Sequence, residues 1–372
     1  MSAIVVFSVL MLGAYSWWIL RRAVSWKLYP VTPSAQANEF KTSVSVVIAV
    51  RNESNRISGL LEDLLKQEYD SQQLEIIVSD DFSEDNTIKK VSAKLSSGNF
   101  RFQIIKASAN DSQGKKHALW RAITAAKGDI ILTTDADCRL SPHWVASMSN
   151  KFKNASINMV TGMVVLRPEN GMIARLERMD QLVLSAIGVA SVAVGSPLLC
   201  SGANLAFRKQ AFIDVGGYQY GINDPSGDDT YLMFQMGDAV AFNKDACSLV
   251  VTEPIRDVKG IINQRIRWAS KMRGYGKPRV TAIGILVSLV NIAPLIMLML
   301  TSWIPLWFVA AWLIGKFLAD LILLKPIASF YKQSDTLLIA PLYALIYPFY
   351  VLMAFVFVFK RGYTWKDRNY PG

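Results

Sequence analysis

The sequence predicts an α/β fold with a mostly parallel sheet, flanked by transmembrane helices on its N- and C-terminal sides. Two observations carry this prediction. In the middle of the chain, short β-branched apolar runs alternate with segments of helical periodicity, the pattern of strands joined by helical crossovers. Uncharged stretches long enough to cross a bilayer stand on both sides, in a chain of 372 residues that is 52% hydrophobic and only 19% charged.

The first apolar stretch predicts a membrane anchor. Residues 2–20 carry no charge, and a Trp pair near their end precedes Arg21 and Arg22. About 20 apolar residues span a bilayer, while Trp favours its interface and Arg its cytoplasmic side. A cleaved signal peptide is the alternative, but no basic segment precedes the apolar run. We therefore expect residues 1–22 to form an N-terminal transmembrane anchor.

The middle region, residues 43–275, predicts the α/β domain. Its first strands are expected at Val44–Val50, Leu74–Val78, Phe102–Lys106 and Asp129–Thr134. Apolar residues at helical spacing predict helices at Ile57–Leu65, Thr87–Leu95 and Lys116–Ala126. Strands that alternate with helices in this way pair in parallel through right-handed crossovers.

The pattern changes after residue 137. Met159–Leu166 has the composition of a strand, whereas residues 171–199 form a long stretch that is charged at its start and small and apolar afterwards. We expect this stretch to be an interfacial helix that shapes an acceptor site near the bilayer. An ordinary core helix is an equally good interpretation.

The last apolar region predicts a membrane domain of two or three spans over residues 280–360. Residues 280–315 contain no charge, and the break at Thr301–Pro305 divides them into two spans. A helix end or a cytoplasmic connection is expected at the charged residues that follow, Lys316, Asp320 and Lys325.

A third apolar segment, residues 336–359, contains Pro341 and Pro348. If it crosses the bilayer, the basic tail at residues 361–372 lies outside, although its charges favour the cytoplasmic side. A re-entrant or interfacial element, which the prolines favour, resolves this conflict. Both alternatives stay open.

The net charge of +11 suits a surface that faces anionic lipid or an anionic substrate such as a nucleotide. The basic residues form no dense run and no nucleic-acid-binding motif, so nucleic acid is not an expected partner. The three cysteines show no C-x-x-C spacing, which argues against a metal knuckle or a disulfide framework and favours a reducing compartment.

The most informative stretch is Asp-Ile-Ile-Leu-Thr-Thr-Asp-Ala-Asp-Cys, residues 129–138. An apolar strand ends here in Asp135 and Asp137, at the edge where α/β sheets bind ligands. Two carboxylates at this edge suit a divalent cation that neutralises a diphosphate. An acidic turn without function is the alternative for this motif taken alone.

Three other clusters accompany it in a fixed order. Asp80 and Asp81 end the second strand, Asp228 and Asp229 follow Gly227, and a Gln-x-x-Arg-Trp run spans residues 264–268. Each alone fits a solvated loop or helix face. Together, within an α/β pattern flanked by membrane segments, they indicate a common site.

With these motifs, the region from about Ser43 to Trp268 resembles family 2 glycosyltransferases of the GT-A fold. It is most similar to the membrane-embedded kind that includes ceramide glucosyltransferases and processive polysaccharide synthases. The motifs that carry the resemblance are Val-Ile-Ala-Val-Arg-Asn-Glu, Asp-Asp-Phe-Ser-Glu-Asp-Asn-Thr, Gly-Lys-Lys-His-Ala-Leu, Asp-Ala-Asp, Ser-Gly-Ala-Asn-Leu-Ala-Phe-Arg-Lys, Gly-Asp-Asp and Gln-x-x-Arg-Trp.

The resemblance implies a nucleotide-sugar site with a bound metal ion. Carboxylates there accept hydrogen bonds from base or ribose, and cations neutralise phosphates. Asp137, assisted by Asp135, is expected to hold Mg²⁺ or Mn²⁺, which favour oxygen ligands. The residues implied at the nucleotide-sugar are Val50, Glu53, Asp80, Asp81, Lys115, Asp135 and Arg267.

The resemblance also implies the catalytic base. Asp229 is expected to take the proton of the acceptor hydroxyl in an inverting transfer. The family usually has Glu-Asp at this motif, whereas this chain has Asp228 in place of the glutamate. The aspartate expected to act as the base, Asp229, is retained. Asp228, Gln264 and Trp268 are expected to position acceptor or donor, and an interfacial anchor is the alternative for Trp268.

We therefore expect an integral membrane protein of a bacterial inner membrane with its catalytic domain in the cytoplasm. It transfers a sugar from a nucleotide-sugar, with a UDP-sugar as the expected donor, to a membrane lipid acceptor. The lipid is favoured because the membrane portion is small. The alternatives are a processive polysaccharide synthase and a non-catalytic nucleotide-sugar-binding subunit.

Overall fold

The computed structural model describes residues 2–32, 42–219, 227–255, 257–271, 276–358, 363–365 and 368–370. The chain divides into two compact units. The membrane unit contains Met1–Leu28, Pro168–Ala186 and Ile255–Gly372, and the sheet unit contains Tyr29–Arg167 and Ile187–Pro254. Strands and helices are numbered along the chain.

The sheet unit is built on a seven-stranded sheet with the order β3-β2-β1-β4-β7-β5-β8. Its strands β1 to β4 are Val44–Val50, Leu74–Asp80, Arg101–Lys106 and Ile130–Thr133. Strands β5, β7 and β8 are Met159–Thr161, Leu205–Arg208 and Val240–Phe242. A separate parallel pair consists of β6, Val164–Leu166, and β9, Val250–Thr252.

The sheet is mostly parallel, as predicted. Strand β1 pairs in parallel with β2 and β4, β2 with β3, and β5 with β8, whereas β7 runs antiparallel between β4 and β5. Val50 lies opposite Asp80, and Val47 lies opposite Thr133. The carboxyl ends of β2 and β4 therefore reach the same edge of the sheet.

Helices cover both faces of this sheet. Val46 and Ile48 point into one apolar cluster and Val47 into the other, so successive β1 residues are buried on opposite faces. Such two-sided burial explains why the strands read as continuous apolar runs. The helices of this unit are α2, Ile57–Leu65; α3, Thr87–Leu95; α4, Lys115–Ala125; α5, Trp144–Asn150; α7, Lys209–Asp214; and α8, Asp228–Met236.

The predicted single strand at Met159–Leu166 is two strands in different sheets. Between them, Gly162 donates its N–H to the carbonyl of Asn204, and the Asn204 side chain donates to the carbonyl of Met163. A Cβ on Gly162 would lie 2.2 Å from the Asn204 amide. The Met163 carbonyl also accepts the Val250 N–H, so the chain changes its pairing from β7 to β9 at this point.

The membrane unit consists of helices α1, Ser2–Leu28; α9, Val258–Lys271; α10, Pro278–Met299; α11, Leu306–Phe330; and α12, Ala340–Val358. A hairpin of β10, Tyr363–Trp365, and β11, Arg368–Tyr370, follows. Helix α6, Met172–Ala193, begins in this unit and ends in the sheet unit. Four helical stretches are long and apolar enough to cross a membrane: Ile4–Leu28, Pro278–Met299, Leu306–Phe330 and Ser334–Met353.

The prediction of a helix end at Lys316, Asp320 and Lys325 was wrong, because all three lie inside helix α11. Lys316 Nζ and Asp320 Oδ2 form an ion pair at 2.7 Å, and the Tyr15 hydroxyl of α1 donates to Asp320 Oδ1 at 2.6 Å. The two charges neutralise each other one helical turn apart and face another helix. An apolar helix therefore continues through them.

Candidate functional site

The ends of β1 and β2 form one wall of the candidate site. Asp81 follows β2, is 3% exposed, and donates its backbone N–H to the carbonyl of Val50. Its carboxylate accepts the N–H of Gly114 at 2.9 Å, at the start of α4. Asp80 is also buried and accepts the N–H of Ser83. Both carboxylates are thereby held in fixed orientations.

Lys115 is the first residue of α4 and lies among carboxylates. Its Nζ is 2.5 Å from Asp135 Oδ1, in an ion pair whose side chains are 24% and 37% exposed. Burial by itself lowers the pKa of Lys115, but the charges of Asp135, Asp228 and Asp229 outweigh it and raise that pKa. Lys115 therefore stays fully charged and links the end of β4 with the start of α8.

Asp137 lies beyond β4 beside other acidic groups. Burial raises its pKa to about 6, and the carboxylates of Asp135 and Glu53 add to this effect. Glu53 is itself 9% exposed, and its backbone N–H donates to the Thr87 hydroxyl. Three carboxylates thus gather at the edge of the sheet, where a cation would relieve their mutual repulsion.

These residues fit a divalent cation that also binds phosphate. Asp135 and Asp137 offer oxygen ligands, and Lys115 already occupies one oxygen of Asp135. Among the residues the structure describes, no cluster of three or more His, Cys, Asp or Glu side chains is arranged to hold a metal ion by itself. This donor set suits Mg²⁺ or Mn²⁺, which take one or two carboxylates and complete their coordination with phosphate oxygens and water.

Asp228 and Asp229 occupy the first turn of α8, directly after Gly227 with φ of 93°. The positive end of the helix dipole stabilises carboxylates at this position. Asp228 is 8% exposed. Asp229 accepts the N–H of Gly202 at Oδ2 (2.9 Å) and its neighbouring Thr230 N–H at Oδ1 (2.7 Å). Oδ1 also accepts from the Thr230 hydroxyl at 3.4 Å, so the carboxylate is held in one orientation and Oδ2 keeps a lone pair for a further hydrogen bond.

Sequence reasoning missed the support for the Gly202 segment. The Thr133 hydroxyl at the end of β4 donates to the carbonyl of Gly202 at 2.7 Å, so the segment is tied to the same strand that precedes Asp135. Two residues later, Asn204 accepts from Trp144 Nε1 and donates to the carbonyls of Met163 and Ser248. The Ser-Gly-Ala-Asn motif of the sequence was a signal for this role.

The remaining predicted residues lie in the membrane unit. Gln264 and Arg267 are half-buried on α9, and Gln264 accepts a hydrogen bond from the guanidinium of Arg265. Trp268 lies on the same helix, but its side chain falls outside the described part of the chain. Residues three and four apart share a helix face, so Gln264, Arg267 and Trp268 stand on one side of α9.

Arg265 makes a buried contact that the sequence did not reveal. Its guanidinium forms an ion pair with Asp180 of α6, and both side chains are more than nine-tenths buried. The Tyr343 hydroxyl of α12 donates to the other oxygen of Asp180 at 2.6 Å. Through Arg265 and Asp180, helix α9 is therefore joined to two other helices of the membrane unit.

Comparison with known proteins shows what this chain is similar to. Residues 45–216 match the sequence family described as Glycosyl transferase family 2. This segment contains strands β1 to β7, except the first residue of β1, and the carboxylates of Asp81, Asp135 and Asp137. The α/β prediction, the GT-A fold and the resemblance to this family are confirmed.

The chain is 25% identical over 243 residues to the poly-beta-1,6-N-acetyl-D-glucosamine synthase of Staphylococcus aureus strain MSSA476, which covers 64% of this chain and 56% of that protein. The Staphylococcus epidermidis synthase is 26% identical over 232 residues, 61% of this chain and 53% of its own length. The chain thus spans about half the length of these curated relatives. A solved structure, the mannosyltransferase PcManGT from Pyrobaculum calidifontis in complex with GDP-Man and Mn²⁺, has a TM-score of 0.62 and 21% identity, and covers 96% of this chain and 98% of its own.

Proposed function

We propose that this protein transfers a sugar, with inversion and with a divalent metal ion, from a nucleotide-sugar to a lipid acceptor at the membrane surface. One observation carries the proposal. Asp229 is held by two N–H donors at the start of α8, and its charge acts on Lys115, which is paired with Asp135. A base, a cation and the predicted metal-binding carboxylates therefore belong to one site in the sheet unit.

The proposed donor pocket uses the wall formed by β1 and β2. Asp80 and Asp81, with Val50 and Glu53 beside them, accept hydrogen bonds from the nucleobase and ribose. Lys115 neutralises the diphosphate at the N-terminus of α4, where backbone N–H groups also favour an anion. Arg267 of α9 is proposed as a further cation for the diphosphate. A UDP-sugar is the proposed donor, and GDP-mannose is the first rival because PcManGT carries it.

The proposed reaction needs one proton acceptor. The acceptor oxygen attacks the anomeric carbon from the face opposite the diphosphate, so one C–O bond forms as the other breaks. The proton of the acceptor hydroxyl passes to a carboxylate oxygen of Asp229, and the nucleoside diphosphate leaves. Asp228, Gln264 and Trp268 are proposed to position donor or acceptor.

Asp137, with Asp135, would hold the Mg²⁺ or Mn²⁺ ion. When bound, such an ion stabilises the negative charge that develops on the leaving diphosphate. PcManGT carries Mn²⁺ in its solved complex, which supports the proposal for this chain. The raised pKa of Asp137 fits the same role, because a bound cation favours the ionised carboxylate.

The membrane setting supports a lipid acceptor. Four helical stretches are able to cross a bilayer, and the staphylococcal relatives are polysaccharide synthases. We propose that the protein resides in a bacterial inner membrane with the sheet unit in the cytoplasm, where nucleotide-sugars are available. The domain limits expected from the sequence, residues 43–275 for the transferase and 280–360 for the membrane domain, remain part of this proposal.

The test is transfer by the purified full chain in lipid extract, with radiolabelled UDP-sugars and GDP-mannose and with Mn²⁺ or Mg²⁺. We expect one chloroform-soluble labelled product. Asp229→Asn should lower its rate about 10²- to 10⁴-fold, the range for loss of a general base, with little change in donor affinity. The matched control is Asp228→Asn, which removes the same charge one residue away.

If Asp229→Asn retains its transfer rate and Asp228→Asn loses it, Asp228 rather than Asp229 would be the general base. Donor binding without turnover of any donor in the wild-type chain would favour a non-catalytic subunit.

A processive polysaccharide synthase is the second candidate, and the staphylococcal relatives favour it. The same assay separates the two functions by product length. A labelled product that stays at the origin of a chromatogram and resists chloroform extraction would support the synthase, whereas a single added sugar supports lipid glycosylation.

A further inference from the structure

Arg22 is a buried arginine within the membrane-spanning stretch of α1. It is 2% exposed, although arginine is almost never fully buried without a partner. Its guanidinium lies over the ring of Trp18, 3.7 Å from the centroid, and its Nη1 donates to the carbonyl of Trp18 at 3.1 Å. The guanidinium is thus held in one place by the preceding turn of the same helix.

Two buried N–H donors, one on Arg22 and one on Trp18, have no acceptor within the described part of the chain. Arg22 Nε and Trp18 Nε1 are enclosed and make no hydrogen bond with the part of the chain that the structure describes. Within that same part, no carboxylate forms an ion pair with Arg22. The charges that act on it most strongly are those of Arg279 and Arg21, and both are positive. Trp18 and Arg22 are one turn apart, so their N–H groups stand on one face of α1.

A buried guanidinium among like charges is unfavourable unless an anion accompanies it. Two unpaired N–H donors on the same helix face call for an acceptor with several oxygens. Arg279 lies in the first turn of α10, whose N-terminus adds the positive end of a helix dipole. The missing partner is therefore an oxyanion of the phosphate type, which binds arginine through paired hydrogen bonds.

The depth of the site identifies where this phosphate comes from. Trp17, Trp18, Arg21 and Arg22 stand at the end of the uncharged run 2–20, with the residue types that mark a bilayer interface. Lipid phosphates lie at the same depth. We propose that Arg22, with Arg21 and Arg279, binds the phosphate group of a membrane lipid, which accepts hydrogen bonds from Arg22 Nε and Trp18 Nε1. This inference stands independently of the acceptor proposed above.

The test is lipid retention by the purified full chain in detergent, measured by native mass spectrometry over a titration. The probes are phosphatidylglycerol, a polyprenyl phosphate, inorganic phosphate and diacylglycerol, which has no phosphate. We expect saturable binding of one phosphate lipid and none of diacylglycerol. Arg279→Gln, at an exposed position, should weaken binding about fivefold to fiftyfold, as loss of a charge-assisted hydrogen bond does.

Arg22→Gln should abolish the retained lipid, and Arg22→Lys should restore part of it. Lys27→Gln is the control, because it removes one positive charge from an exposed position on the same helix. If Arg22→Gln does not fold, Arg279→Gln and Arg22→Lys still decide the question. Equal lipid retention by wild type, Arg279→Gln and Arg22→Lys would overturn the proposal, as would equal retention of diacylglycerol.

The probes also separate the sources of the phosphate. Preference for polyprenyl phosphate over phosphatidylglycerol supports a site for a lipid-linked substrate, and equal affinity supports a site for bulk headgroups. Displacement of both lipids by millimolar inorganic phosphate would overturn the lipid assignment, because the site would then bind a soluble anion.

Discussion

The acidic residues near β4 and at the start of α8 differ in what they are bonded to, and this difference supports the roles proposed for them. Asp135 is paired with Lys115, whereas burial and the neighbouring charges of Asp135 and Glu53 raise the pKa of Asp137 to about 6. Asp229 is held by two N–H donors. Among these groups, the ionised form of Asp137 is destabilised by burial and by neighbouring negative charge. A bound cation would therefore stabilise this carboxylate.

Substitution of this carboxylate tests the metal site. Asp137→Asn should reduce Mn²⁺ affinity at least about tenfold, because it replaces a charged ligand by a neutral one. Binding is measured by Mn²⁺ electron paramagnetic resonance in the presence of nucleoside diphosphate. Asp238→Asn, at an exposed position, is the control with the same change in charge. Unchanged affinity in Asp137→Asn would remove Asp137 from the ligand set.

Glu177 of α6 gives a prediction for pH dependence. Burial raises its pKa to about 7, and Asp180 and Glu169 add to this, while Arg265 and the Ile255 N–H oppose it. The folded chain therefore holds a proton that the unfolded chain releases above the ordinary pKa of 4.5. The stabilising contribution is complete below pH 4.5 and is lost as the pH rises through 7.

Glu177→Gln should reduce the pH dependence of the free energy of unfolding between pH 4.5 and 7. At pH 8 it should make the protein more stable than the wild type by about 1–2 kcal/mol. Gln still accepts the Ile255 N–H, so the hydrogen bond survives. Unfolding in detergent, followed by tryptophan fluorescence over this range, measures the effect. The exposed Glu84→Gln serves as control, and parallel pH profiles for wild type and Glu177→Gln would contradict the prediction.

At the scale of elements, one amide joins several parts of the sheet unit. Asn204 begins the approach to β7 and bonds to α5, to the segment between β5 and β6, and to the short 3-10 helix Ala246–Ser248. Its own backbone N–H donates to Ser201. The Gly202 N–H that holds Asp229 is therefore positioned by bonds that reach three other segments.

Asn204→Ala should destabilise the sheet unit by about 2–3 kcal/mol, because it leaves Trp144 Nε1 and the Ser248 carbonyl without their partner and removes one of two donors to the Met163 carbonyl. Thermal unfolding gives the stability, and the transfer assay should lose rate along with it. Asn154→Ala removes an amide of the same size at an exposed position and should change the unfolding temperature little. A similar decrease in the unfolding temperature of both variants would contradict the prediction that the buried hydrogen bonds of Asn204 stabilise the sheet unit.

The sequence predicted elements better than it predicted contacts between them. The strands before Asp80 and Asp135 were predictable, because two-sided burial requires an unbroken apolar run. The break in Met159–Leu166 was not, since it depends on an asparagine some 40 residues away. The Arg265–Asp180 pair was equally hidden, because charged residues on a helix usually face water and only the packed structure shows these two facing each other.

At the scale of the whole molecule, the chain alternates between its units. The membrane unit takes three separate stretches of sequence, and the sheet unit takes two. The sequence predicted membrane segments at residues 1–22 and 280–360 from their lack of charge, whereas the last stretch of the membrane unit begins at Ile255 and includes α9. It did not predict that Pro168–Ala186 belongs with them, because the opening of α6 is charged and its partners on α9 and α12 are distant in sequence.

The proposed cytoplasmic location of the sheet unit predicts opposite labelling at two positions. Asp238→Cys lies in the sheet unit, and Ser302→Cys lies between α10 and α11; both positions are exposed. With Cys138, Cys200 and Cys247 replaced by serine, a membrane-impermeant maleimide should label Asp238→Cys only in inside-out vesicles. Ser302→Cys should react only in right-side-out vesicles. Labelling of both from the same side would contradict the proposed crossing by α10.

The hydrogen bond between Tyr15 and Asp320 joins residues 305 positions apart. At about 5–20 residues per second, a ribosome needs roughly 15–60 s to make the second partner after the first. During that interval α1 resides in the bilayer with its tyrosine hydroxyl and buried arginine facing lipid or a temporary companion. The contact between α1 and α11 therefore forms late in synthesis, and slow translation would prolong the interval in which Tyr15 lacks this partner.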